Sequence, residues 1–267
     1  MSRLTLPVVI GVLALLVLAT AMSASRARTE RERQEQSEQP EAEAQPAPAP
    51  AATEVPEAAR PAPRPQPSFR LAKVRRGQSV ALRARPGGKT VTRLGSQTEF
   101  GRGRVLSVAD ARGRWLGVTT EARPNGRLGW VDSRSDGLKV SRTRVSLHAD
   151  LSRRRLELRR GRRVVKRITV TIGRPGSSTP TGRFAVTDKL SGSRYGSYYG
   201  CCILALSGRQ PNLPAGWTGG DRLAIHGTNA PGTIGKAASA GCLRAGDAPL
   251  RVLMRRVPVG APVFVRR

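Results

Sequence analysis

Alternating apolar and polar residues define a first group of short strands, between about residue 69 and residue 140. Glycine, proline and an Asn125-Gly126 pair separate these runs. Period-two alternation interrupted in this way is typical of antiparallel β-structure. The pattern therefore predicts a small all-β barrel over residues 69–140. Its predicted strands are 79–83, 90–94, 104–108, 115–118 and 128–131.

A second group of strands occupies residues 143–267, so the whole chain is predicted to be mainly β. One short helix is expected at 248–254, because Asp247 can cap its start and Pro249 suits a first helical turn. The predicted strands of this group are 145–151, 155–158, 164–170, an apolar run at 198–206 and a last strand at 262–265.

An uncharged run at residues 4–22 precedes both groups. Its length is just sufficient to span a bilayer, which takes about 20 apolar residues. It fits a signal peptide equally well, since Ala19-Thr20-Ala21 offers a small-residue cleavage site. We therefore predict a signal peptide or an N-terminal membrane anchor at 1–25. Residues 26–68 are rich in Pro, Ala and Glu, and this composition predicts a disordered spacer.

Basic residues dominate both predicted domains of this chain, whose formal net charge is +29. Lys and Arg outnumber Asp and Glu by 17 to 5 over residues 69–142 and by 23 to 5 over residues 143–267. Such a balance suits nucleic acid, an anionic cell-wall polymer or a membrane surface, and an arginine-rich composition alone also produces it. The sequence carries no recognisable nucleic-acid-binding motif. We therefore expect no nucleic-acid partner, and anionic cell-wall polymers stay candidates.

The residues best suited to catalysis lie in a glycine-rich stretch at 225–247. It holds His226, one of two histidines, and Cys242, one of three cysteines. A free thiol is only a few per cent ionised near neutral pH, so a nearby histidine can supply the base that a cysteine nucleophile needs. Gly241 would let the backbone approach the thiol, where N–H groups can hold an oxyanion. The plainer interpretation is a glycine-rich surface loop with a buried cysteine and an unrelated histidine.

Three motifs in this stretch closely resemble the L,D-transpeptidase (YkuD-like) catalytic domain: HGT at 226–228, IGK at 234–236 and SAGCLR at 239–244. A TPTGRF motif at 179–184 is a further similarity. The resemblance implies an L,D-transpeptidase-type β-sandwich over residues 143–267. Similarly, the ending GWV at 129–131 resembles that of a bacterial SH3-like domain, which implies an SH3-like barrel before the sandwich.

The resemblance also implies roles for individual residues. Cys242 would be the nucleophile and His226 its base. Oxyanion or orienting roles fall to three neighbours, Gly227, Ser239 and Gly241. Substrate-binding roles fall to Thr228 and Arg244, although Arg244 equally suits a bracing role in the loop.

The stretch departs from the family pattern at three positions. Ala240 stands where many relatives carry a second histidine. After Arg244 the family usually shows an Asn and then an Asp, whereas this chain has Asp247 and Pro249. Other relatives also have a different residue at position 240, so that position is dispensable. The two differences after Arg244 concern the capping of the segment that follows the motif more than the chemistry.

The activity implied by the resemblance is acyl transfer on peptidoglycan stem peptides, outside the plasma membrane, to form 3→3 cross-links. Related alternatives are an L,D-carboxypeptidase and an enzyme that anchors proteins to peptidoglycan. An alternative of another class is a non-catalytic cell-wall-binding protein. The resemblance implies no metal or organic cofactor, and it implies acylation by carbapenems. The adjacent Cys201 and Cys202 lack the spacing of a zinc site, and we expect two unbonded thiols packed beside the active site.

Overall fold

Two large β-sheets follow each other along the chain, as the alternation of apolar residues predicts, and two further strands form a small sheet of their own. The computed structural model describes residues 65–267, which form one compact unit. The predicted segment 1–25 and most of the predicted spacer 26–68 lie outside the described residues. Within 65–267, no helix combines the length and the apolar character needed to cross a membrane.

The first sheet has seven strands: β1 (Phe69–Val74), β2 (Ser79–Arg83), β3 (Thr90–Gly95), β4 (Val105–Arg112), β5 (Trp115–Thr119), β6 (Gly129–Asp132) and β7 (Leu138–Thr143). They lie in the order β3-β2-β6-β5-β4-β1-β7, and all pairs are antiparallel. Alternate residues point inward and bury an aliphatic core that includes Leu82, Leu116 and Val131. The mainly-β prediction is confirmed for this region, and its SH3-like character stays a prediction.

Ten strands follow: β8 (Val145–Asp150), β9 (Arg155–Arg160), β10 (Arg163–Thr169), β11 (Ile172–Gly173), β12 (Gly182–Ser191), β13 (Cys202–Arg209), β14 (Arg222–His226), β15 (Ala237–Ser239), β16 (Leu243–Arg244) and β17 (Pro262–Arg266). Eight of them form one sheet in the order β10-β9-β8-β17-β12-β13-β14-β16, and β11 pairs with β15. Parallel pairing of β17 with β8 returns the last strand to the sheet interior. The apolar faces of this sheet and helix α1 (Asp247–Arg256) enclose the second core.

Two local predictions need correction. The apolar run at 198–206 is not one strand, because Ser197–Tyr199 form a short 3₁₀ turn and β13 begins at Cys202. Helix α1 begins at Asp247, with Gly246 in the N-cap position. The Asp247 carboxylate accepts the Cys201 backbone N–H at 3.0 Å instead of capping its own helix.

Candidate active site

Parallel pairing of β14 with β16 brings the histidine and the cysteine of the glycine-rich stretch together. In this register Ile225 lies opposite Leu243 and His226 lies opposite Arg244. The same register places Cys242, one residue before β16, opposite Ala224, two residues before His226. Residues two apart on a strand point to the same face, so the Cys242 and His226 side chains face the same side of the sheet. Both side chains line one cavity, whose walls also include Tyr198, Tyr199 and Trp217.

His226 is held as a neutral base. Only 1% of the residue is exposed, and its ring lies 5.0 Å from the Tyr199 ring and 5.5 Å from the Tyr198 ring. Its Nδ1 lies 2.7 Å from the Gly227 carbonyl oxygen. A carbonyl oxygen can only accept, so Nδ1 carries the proton and Nε2 keeps its lone pair. Burial lowers the pKa of His226 to about 4, which keeps the ring neutral near pH 7.

Cys242 carries the unpaired thiol of this chain. Its Sγ lies 3.9 Å from the Arg222 carbonyl oxygen, to which the thiol donates. Burial raises the pKa of Cys242 to about 11, so the resting thiol is protonated. The site therefore rests as a thiol beside a neutral imidazole, and deprotonation of the thiol has to accompany its attack.

The pH dependence of acylation should reflect this resting state. His226 accepts a proton only in its neutral form, and that form is lost as the pH falls through about 4. We therefore expect the acylation rate of Cys242 to be level from about pH 5 to pH 8 and to drop near pH 4. Intact-mass measurements of acylation across this range test the expectation. A fall in the acylation rate centred near pH 6.5, the ordinary pKa of histidine, would show that His226 is not a buried base with a lowered pKa.

Ser239 shapes the turn before the thiol. Its hydroxyl donates to the Cys242 carbonyl at 2.6 Å and accepts the Gly241 N–H at 3.1 Å. Ser239 thus fixes the backbone on both sides of the thiol, and its orienting role in catalysis stays a prediction. The Gly241 N–H is already engaged, so Gly241 is not a free oxyanion donor in this arrangement. Its contribution is a backbone φ of +120°, in the left-handed region that favours glycine.

Gln210 fastens the same turn to a distant segment, and sequence reasoning did not identify it. The side chain is buried, and Nε2 lies within 3.2 Å of the carbonyl oxygens of Ser177, Ser178 and Ala240. Oε1 accepts the Asn212 N–H at 3.0 Å. A single glutamine more than one strand away from the motif gives no sequence signal of this contact.

Replacing Gln210 with methionine should therefore destabilise the fold and disturb the thiol. Methionine fills a similar volume but leaves buried carbonyl groups without a donor, at a cost of about 1–3 kcal/mol. We expect the free energy of unfolding to fall by this amount and the acylation of Cys242 to slow. Denaturant unfolding measures the first effect. Gln78→Met, at an exposed position in the turn between β1 and β2, is the matched control and should change neither.

Backbone hydrogen bonds and close packing fix Gly227 and Thr228, the two residues that follow His226. The Gly227 N–H donates to the Cys202 carbonyl at 3.1 Å, so it is engaged as well. A Cβ at Gly227 would fall 2.7 Å from Gly200 Cα and from the Tyr199 carbonyl oxygen, which explains the glycine. The Thr228 hydroxyl accepts the Ala230 N–H at 3.0 Å within a local turn.

Arg244 lies behind the site and is not among the residues that line the cavity. It is 6% exposed, and Nη2 donates to the Ala238 carbonyl at 2.6 Å. Its guanidinium lies 5.5 Å from the centre of the Tyr198 ring, and its backbone pairs with Thr171. These contacts support the bracing role and not direct substrate binding.

The expectation of two unbonded thiols at Cys201 and Cys202 is wrong in this structure. Their sulfur atoms are joined in a disulfide between neighbouring residues. The Cys201 N–H and the Cys202 carbonyl are fixed by Asp247 and Gly227, which holds the two residues at the start of β13. Within residues 65–267, no three His, Cys, Asp or Glu side chains come together as a metal site would require.

Comparisons with known proteins find L,D-transpeptidase domains. The family model of the L,D-transpeptidase catalytic domain, YkuD, matches residues 144–265. The provisionally named L,D-transpeptidase YkuD of Bacillus subtilis is 32% identical over 114 residues, which cover 42% of this chain and 60% of that protein. The provisionally named L,D-transpeptidase YqjB of the same organism is 31% identical over 106 residues, covering 36% of this chain and 57% of that protein. The chain thus spans about three fifths of the length of these curated relatives.

Solved structures give a more distant likeness. An L,D-transpeptidase from Mycobacterium smegmatis is 17% identical, with a TM-score of 0.39, over 61% of this chain and 82% of that chain. The Enterococcus faecium L,D-transpeptidase is 19% identical, with a TM-score of 0.36, over 46% of this chain and 49% of that chain. Residues 144–265 are therefore similar, by the family-model match and by the curated relatives, to L,D-transpeptidase catalytic domains of the YkuD type.

Proposed function

We propose that this protein is a peptidoglycan L,D-transpeptidase that works through a Cys242 acyl-enzyme and forms 3→3 cross-links. One observation carries the proposal: an unpaired thiol and a neutral histidine with an available Nε2 line the same cavity. A positioned base beside a thiol is the arrangement that activates a cysteine nucleophile. The match of residues 144–265 to the transpeptidase domain supports the choice of substrate class.

The proposed reaction has two acyl transfers. Cys242 Sγ attacks the carbonyl carbon that joins the third stem residue to the terminal D-alanine, while His226 Nε2 takes the thiol proton. The C–N bond then breaks, and His226 returns the proton to the leaving D-alanine amine. A side-chain amine of the third residue in a second stem attacks the thioester and releases the thiol. The Cys242 backbone N–H is the candidate oxyanion donor, because the Gly241 N–H is engaged by Ser239.

The proposal also places the enzyme on the cell-wall side of the plasma membrane, anchored or secreted through residues 1–25. The excess of basic residues over both described sheets suits an anionic wall polymer as an additional partner. Attraction between exposed charges is screened within about 8 Å at physiological ionic strength, so such binding would weaken as salt is added.

Incubating the full chain with a defined donor tetrapeptide and weighing the products tests the proposal. A cross-linked dimer with loss of one D-alanine is the expected product. Tripeptide alone would identify water as the acceptor, and therefore an L,D-carboxypeptidase. Transfer to an added lysine-containing protein would identify the anchoring activity. Unchanged tetrapeptide under conditions in which the chain still binds cell wall would favour a non-catalytic wall-binding protein.

Arg244→Lys should lower stability and turnover together. Lysine can keep one hydrogen bond to Ala238 but not the planar contact with Tyr198. We expect a loss of about 1–2 kcal/mol in the free energy of unfolding and a parallel loss of turnover. Thermal unfolding and product formation, measured on the same preparation, check this. A large loss of turnover at unchanged stability would instead indicate direct contact between Arg244 and substrate.

A further inference from the structure

The loop between β3 and β4 brings the first sheet against the candidate active site. The Thr98 hydroxyl donates to the buried Asp188 carboxylate at 2.5 Å. Phe100, two residues further on, packs against an apolar cluster of the second sheet, on which Cys242 also packs. The buried members of that cluster are Leu190, Ile203 and Ala224. The two sheets therefore share an apolar contact beside the thiol.

The loop contacts Arg222, the first residue of β14. Its guanidinium pairs with Glu99 and lies 5.9 Å from the centre of the Phe100 ring. Its Nη2 donates to the Leu206 carbonyl at 2.7 Å and to the Thr187 hydroxyl at 3.0 Å. The Arg222 side chain is thus held by both sheets at once.

The backbone of Arg222 contacts Cys242 and belongs to the strand that carries His226. Its carbonyl oxygen is the hydrogen-bond acceptor for the Cys242 thiol at 3.9 Å. Strand β14 then continues for four residues to His226. A displacement of Arg222 would therefore move both the acceptor for the thiol and the strand that carries the base.

We propose that Glu99 and Phe100 are positioning residues for the Cys242–His226 site, so that the amino-terminal sheet completes the active site. Neither residue is among those that line the cavity, so neither should contact substrate. They act through Arg222, which itself lines the cavity. Their loss should therefore reduce turnover, with a smaller effect on substrate binding. The kinetic test of this inference rests on the proposed function.

The first test compares variants of the full chain with a tetrapeptide donor. Phe100→Leu keeps apolar volume but removes the ring that faces Arg222, and we expect kcat to fall about three- to tenfold with a smaller change in KM. Glu99→Gln should lower kcat by no more than about threefold, because Glu99 is partly exposed. Phe100→Tyr keeps the ring and should restore kcat. The matched controls Val91→Ala and Asp110→Asn change exposed positions of the same sheet and should be silent.

A second test does not depend on transpeptidation. Phe100 packs on the same apolar cluster as Cys242. Phe100→Ala should therefore let water closer to the thiol and move the pH profile of Cys242 alkylation by iodoacetamide to lower pH, as located by peptide mapping. If the wild type is alkylated at Cys242 and yet forms no peptide product, the proposed function fails. The pH profile of alkylation still tests whether Phe100 positions the thiol. A kcat loss at unchanged thermal stability, or a shifted profile, supports positioning. Unchanged kcat and profile, or a kcat loss that only follows loss of folded protein, overturns it.

Discussion

Replacing His226 with glutamine is expected to slow acylation of Cys242 by about 10²–10⁴-fold, the range that a positioned general base contributes. The loss should be this large because the thiol does not ionise by itself near neutral pH: burial raises the pKa of Cys242 to about 11. The Gly227 carbonyl fixes the tautomer of His226 so that Nε2 can accept the proton. Glutamine has no basic nitrogen to take its place. Intact-mass time courses with an acylating substrate measure the effect.

His148→Gln is the matched control for this variant. His148 is the other histidine of the chain, and it stacks on Phe264 at 4.8 Å within the second sheet. Burial lowers its pKa to about 4 as well, so the two histidines differ in location and not in protonation. His148→Gln should acylate at the wild-type rate. An equal loss in both variants would show that the effect of His226 is structural.

Replacing Gly241 with alanine should disable the site through its backbone. The φ of +120° disfavours any residue with a Cβ, at a cost of about 1–3 kcal/mol. The new methyl group would also lie 2.0 Å from Gln210 Nε2, which cannot move without leaving its three carbonyl partners. The turn, and Cys242 with it, must therefore shift. We expect the acylation rate to fall by about 10²-fold, as displacements of about 1 Å can cause.

Gly232→Ala provides the comparison within the same glycine-rich stretch. A Cβ at Gly232 meets no atom within 4 Å, and the residue does not have a positive φ. This variant should acylate normally and unfold at the wild-type temperature. If Gly241→Ala acylates as fast as Gly232→Ala, the turn does not position the thiol in the way described.

The parts of the fold that follow local patterns could be predicted from the sequence. Strands such as β2 and β8 alternate apolar and polar residues along their length, and the structure places them within a residue of the prediction. His226 and Cys242 became candidates because of their residue types and the resemblance of their motifs to a known family. Their meeting depends on the parallel pairing of β14 with β16, which two adjacent apolar runs do not reveal by themselves.

The missed features are contacts between distant segments. Gln210 and Arg222 have ordinary sequence surroundings, and their importance comes from carbonyl groups and a loop that the topology brings to them. The prediction that Asp247 caps its helix is wrong for the same reason, since its carboxylate has a partner across the fold at Cys201. Rules based on neighbouring residues consider only hydrogen-bond and ion-pair partners that lie close in sequence. They cannot identify partners that the tertiary structure brings together.

The most direct test of the account is to locate the acyl group. The full chain is treated with a carbapenem, whose strained carbonyl stands in for the donor amide, and the protein is weighed intact and then mapped by peptide. All three cysteines lie in the described residues, and the structure leaves only Cys242 unpaired. We expect one adduct, on Cys242, that is absent from Cys242→Ala and forms normally in Cys201→Ser/Cys202→Ser. An adduct on Cys201 or Cys202 with Cys242 unmodified would contradict it.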